Sequence, residues 1–117
     1  MNSDFGLTAP QRETLREILN TLDGQIEKVA VFGSRATGRQ RPNSDLDLVL
    51  YGCTDEAVCD RLRTLLQDSP LPFSVDVKRY TAIRHSPLKA HIDAVALPLF
   101  EQTDHGLVAV NSQWMSR

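Results

Sequence analysis

A chain of 117 residues, 41% of them hydrophobic, has material for one core and not obviously for two, so a single domain is expected. Thirteen basic against fifteen acidic residues leave a net charge of -2, which gives no bulk attraction to long nucleic acid or to an anionic membrane. No stretch reaches the roughly 18 apolar residues of a membrane span. The start, MNSDFGLTAP, has neither the basic nor the apolar region of a secretory leader, so a cytoplasmic protein is expected.

Thr8-Ala9-Pro10-Gln11 has the form of a capping box, and Leu15, Ile18, Leu19 and Leu22 then recur at i, i+3, i+4 and i+7. This spacing predicts an amphipathic helix that stops near Gly24. Lys28 to Phe32 is a short apolar run ending at Gly33, the pattern of a strand feeding a tight turn, and a short helix is expected from Ser34 to Gly38. Arg39 to Ser44, polar and carrying Pro42, reads as irregular. From Asp45 to Tyr51 the chain alternates, which puts Leu46, Leu48 and Leu50 on one strand face and Asp45 and Asp47 on the other. Thr54 is the expected N-cap of a helix with the buried stripe Val58, Leu62, Leu65 and Leu66, ended by Ser69-Pro70.

Phe73 to Val77 alternates again, with Asp76 and Lys78 opposite the apolar face. Ser86-Pro87 reads as N-cap and first position of a last helix carrying Leu88, Ile92 and Val95, and Leu97 to Phe100 as a short edge strand that tolerates Pro98. The domain is expected over residues 1–100. Glu101 to Arg117 shows no sustained period and reads as a loosely ordered tail, with Trp114 docked on this chain or on a partner. Strands alternating with helices imply a small α/β (α+β) layer, its leucine face covered by helices and its carboxylate face open.

Cys53 and Cys59 are six apart, make no CxxC pair, and read as unpaired structural thiols. His85 and His91, also six apart, do not stack on one helix face and read as satisfied or exposed. The chemistry lies elsewhere. Asp45 and Asp47 side by side repel each other unless a cation relieves them, and Mg²⁺ takes such hard oxygen ligands together with phosphate oxygens. A solvated strand face is the better explanation of one Asp-x-Asp taken alone. Gly33-Ser34 lies eleven positions before Asp45, between a strand and a helix. There glycine lets backbone approach an anion, and the following amides and the Ser34 hydroxyl donate to it. Arg35, Arg39 and Arg41 could neutralise a triphosphate, and Asp76 supplies a third carboxylate for a two-metal transfer.

Together, Phe32-Gly33-Ser34, Ser44-Asp45-Leu46-Asp47-Leu48 and the later Asp76 resemble the signature of the nucleotidyltransferases that share the fold of DNA polymerase beta. The fuller string Gly33-Ser34-Arg35-Ala36-Thr37-Gly38 resembles the minimal nucleotidyltransferase branch, the MntA-like antitoxins of HEPN toxin–antitoxin modules. This resemblance implies a small mixed sheet of the polymerase beta type. It also implies that Gly33 and Ser34, with Arg35 and Arg39, bind the phosphates of ATP, and that Asp45, Asp47 and Asp76 bind two Mg²⁺ ions and carry catalysis. The implied reaction is transfer of AMP to a hydroxyl, a tyrosine, of a HEPN toxin partner. Two other readings stay open: a non-catalytic antitoxin that occludes its partner, and transfer to a small molecule, against which the absence of a second domain argues.

Overall fold

The computed structural model describes residues 5–22, 24–39, 41, 44–103 and 106–109. Helix α1 spans Ala9–Asn20, and the capping box is realised: the Thr8 hydroxyl accepts from the Gln11 amide while the Gln11 side chain accepts from the Thr8 amide at 2.9 Å. Strand β1 (Lys28–Phe32) runs into a 3-10 turn at Gly33–Arg35, in place of a helix beginning at Ser34. Strand β2 (Leu46–Tyr51) begins one residue after Asp45. Helix α2 (Glu56–Gln67) is capped by Asp55, whose carboxylate accepts from the Ala57 amide at 2.9 Å, and not by Thr54.

Strand β3 (Val75–Arg79) starts two residues later than the alternation from Phe73 suggested. Helix α3 covers Ser86–Val95 with Ser86 already inside it, because His85 holds the extended cap position. Strands β4 (Leu97–Thr103) and β5 (Gly106–Ala109) complete a mixed sheet in the order β3-β2-β1-β4-β5, in which only β2 and β3 run parallel.

The C-terminal end differs most from expectation. β4 is no edge strand: it lies between β1 and β5, and Pro98 is accommodated where the β1–β4 register slips between Val29 and Ala30. The expected loose tail instead supplies Glu101 to Thr103 of β4 and the whole of β5. Fully buried Leu107 and a 2.8 Å bond from its amide to the Asn20 side chain fasten β5 to the end of α1. One core residue in four gives no period to read in the sequence. Pro42 and Trp114 lie outside the described residues.

Leu46, Leu48, Leu50, Val29, Val31 and Val77 form the main core with Leu15 and Leu19 of α1, Leu22 just after it, and Val58, Cys59, Leu62 and Leu66 of α2. The opposite face carries a second, smaller cluster of Ala30, Phe32, Val49 and Ile92. Helix α3 therefore covers part of the carboxylate face, which the sequence had left wholly open. Neither cysteine is paired, and both are buried. Among the described residues no helix is long and apolar enough to cross a membrane.

Candidate active site

β1 and β2 are antiparallel with Phe32 opposite Asp47, and β2 and β3 are parallel with Asp47 opposite Asp76. In-register neighbours on adjacent strands project to the same face about 4.8 Å apart, so the topology alone brings Asp47 and Asp76 together. Asp45 precedes the strand and is exposed, as is Asp76, whereas Asp47 is half-buried. Burial raises the pKa of the Asp47 carboxyl, and the neighbouring carboxylates of Asp76 and Asp45 raise it further, against smaller opposite effects of Lys78 and His91. Both other aspartates thus act on Asp47.

Gly33 fixes the other side of Asp47. Its φ is +77°, and a Cβ placed there would stand 2.3 Å from Asp47 Oδ2. Any side chain would displace the carboxylate or the turn, so glycine is required by conformation and by contact. The turn is then held shut by the amides of Ala36 and Thr37, which both donate to the Gly33 carbonyl. The Ser34 side chain is half-buried and makes no hydrogen bond among the described residues, which leaves its hydroxyl available to a ligand.

Arg35, expected among the phosphate-binding residues, is placed in the interior. It is only 3% exposed. Its guanidinium donates to the Phe5 carbonyl at 2.9 Å and twice to the Ser44 carbonyl, at 2.9 and 3.2 Å, while lying over the Phe73 ring at 4.5 Å. These bonds engage its fork of donors with backbone carbonyls. Burial lowers its pKa, which the Asp45 carboxylate partly offsets. Arg35 therefore ties the N-terminal segment, at Phe5 with its unusual φ of 56°, to the residue immediately before Asp45. Arg39 and Arg41 remain exposed.

Two residues near the carboxylates were not assigned from sequence. Lys78 Nζ lies 3.4 Å from Asp76 Oδ2, on the face that period-two spacing had given it without a role. His91 comes from α3, packs edge-on to the Phe32 ring with centroids 6.4 Å apart, and acts on Asp47. No local signal places α3 there. Among the described residues no three acidic, histidine or cysteine side chains are already closed around one point. The donor chemistry nevertheless suits a hard divalent cation: oxygen ligands only, one of them with its pKa raised by burial and by the two others.

Comparison with known proteins follows the same lines. The family model described as "Polymerase beta, Nucleotidyltransferase" matches residues 13–105, well over half of the chain. Among solved structures, a toxin-antitoxin crystallised with AMP-PNP superposes with a TM-score of 0.56 at 18% identity, covering 80% of this chain and 75% of that one. A protein from Sulfolobus solfataricus, named provisionally as a nucleotidyltransferase, superposes with a TM-score of 0.48 at 21% identity, covering 85% of this chain and 83% of its own. No curated protein sequence matches the chain at a significant level.

Proposed function

Because the chain belongs to the polymerase beta nucleotidyltransferase family, we propose that it transfers AMP from Mg·ATP to a tyrosine hydroxyl of a HEPN toxin and so acts as its antitoxin. The observation that carries this reading is the pairing of Asp47 with Asp76 beside a glycine that tolerates no side chain. A fold shared with a toxin-antitoxin structure containing AMP-PNP supports the choice of nucleotide and the class of partner.

In this reading the Gly33-Ser34 turn receives the β- and γ-phosphates, with the Ser34 hydroxyl donating to a phosphate oxygen. Exposed Arg39 stands after the turn and can balance the phosphate charge. Asp45, Asp47 and Asp76 would hold the divalent cations, which when bound supply Lewis-acid stabilisation of the developing charge. Asp76, on the exposed edge of the set, accepts the proton of the acceptor hydroxyl. The acceptor oxygen forms a bond to the α-phosphorus, the bond from that phosphorus to the bridging oxygen breaks, and pyrophosphate leaves with the electron pair.

Purified protein incubated with α-labelled ATP, magnesium and a purified HEPN protein tests the reaction. Label is expected on the partner with the natural chain and none with the Asp45→Ala/Asp47→Ala double variant; absence of transfer with every nucleotide rejects catalysis. One observation favours a second reading, neutralisation by occlusion: Asp76 is ion-paired with Lys78, whose ammonium competes with a cation for that carboxylate. Full rescue of toxin-expressing cells by the double aspartate variant would establish occlusion in place of modification.

A further inference from the structure

Beyond the carboxylates, the outer edge of β3 faces a cleft of about 230 Å³ walled by the start of α2, the end of β3 and the segment leading into α3. Its charged lining is Arg63, Lys78, Arg79 and Arg84 against the single acid Glu56, with His85 beside them. Glu56 is shared: Arg63 reaches it at 3.0 Å and Arg79 at 2.9 Å. The side chains of Arg84 and His85 are exposed and have no polar partner among the described residues. Arg63 also bonds Asp60 at 2.8 Å and Lys78 lies against Asp76, so the cationic excess at the cleft is carried by Arg84 with His85 beside it, although the chain as a whole is acidic. Part of the lining is apolar, with Ile83 and Leu88 both half-buried.

We propose that this cleft docks an acidic, partly apolar segment of the protein that carries the acceptor hydroxyl. The inference rests on the transfer reading above for its consequence, though not for the binding itself. Lys78 connects the two places, since it lines the cleft and lies 3.4 Å from Asp76. A segment seated against Lys78 therefore delivers a neighbouring hydroxyl to the carboxylate assigned to take its proton. Strand addition along β3 is disfavoured, because Arg63 already donates to the Val77 carbonyl at 2.8 Å. A small-molecule acceptor fits poorly as well: enclosing sites run from roughly 300 to 1,000 Å³, and this cleft is smaller. Polynucleotide needs a continuous basic track, which Glu56 and the apolar residues interrupt.

The probe is a fluorescein-labelled peptide of alternating Glu and Leu around one Tyr, with a Lys-for-Glu peptide and a single-stranded RNA as competitors. Anisotropy is expected to show acidic-peptide binding that weakens as salt rises and falls about tenfold in Arg84→Glu/His85→Glu. Arg84→Lys should retain it, and Asp45→Asn/Asp47→Asn should leave it at least intact while abolishing label transfer to the peptide. Equal binding of the basic peptide, unchanged affinity after charge reversal, or displacement by RNA at lower concentration overturns the docking site. Intact docking with no label transfer by the natural chain overturns the reaction and spares the site.

Discussion

The two faces of the sheet solve different problems. On one, Leu46, Leu48 and Leu50 are fully buried under α1 and α2, a dry contact whose only requirement is apolar fit. On the other, the alternate residues of the same strand run from half-buried Asp47 through fully buried Val49 to Tyr51, which stacks on Tyr80 at 5.0 Å. There α3 seals only part of the face, and repelling carboxylates occupy the rest. One strand thus feeds the main core through its even-numbered residues and divides its odd-numbered ones between a smaller core at Val49 and chemistry at Asp47. Substitutions on the first face should unfold the protein, whereas several on the second should disable it while leaving it folded.

The largest effect expected is on activity. Gly33→Val drives a side chain into Asp47 Oδ2 at a φ of +77°, and nucleotidyl transfer should fall about a thousandfold, equivalent to about 4 kcal/mol. Circular dichroism should show a retained fold; wild-type turnover would remove Gly33 from the site. Leu48→Ala on the dry face should instead lower unfolding free energy by about 3 kcal/mol in urea melts, and a loss below about 1 kcal/mol would contradict the division between faces. Arg35 sharpens the comparison because it serves the carboxylate face from a buried position. Arg35→Met leaves the Phe5 and Ser44 carbonyls without their donor and should cost about 2 kcal/mol. Arg35→Lys should not restore it, since one ammonium cannot span both carbonyls.

The smallest effect reverses sign. Asp47 has a folded-state pKa above its ordinary value, so the folded state binds the proton more tightly than the unfolded one. Its charged form therefore weakens the metal-free fold at neutral pH. That penalty shrinks as pH falls through the raised pKa and is gone below the ordinary carboxylate range. Asp47→Asn should raise stability in EDTA at neutral pH by at most about 1 kcal/mol, since solvent screens the open side. The gain should vanish in acid, and a variant less stable than the natural chain at neutral pH would show that burial is not the controlling cause.

Much of this was legible in the sequence because its causes are local. The Thr8 capping box, the alternation from Leu46 to Leu50 and the turn at Gly33-Ser34 each declare themselves within a few residues, and the fold and family followed from them. Boundaries slipped where two capping residues competed, as Asp55 displaced Thr54. What only the tertiary structure decided is long-range. It recruited 106–109 as a strand through Leu107 and Asn20, and it seated α3 and His91 beside Asp47. It also turned the Arg35 guanidinium inward to two carbonyls distant in sequence. Periodicity reports which face of an element is apolar, but the direction of a charged side chain depends on which unsatisfied acceptors the rest of the chain brings within its reach.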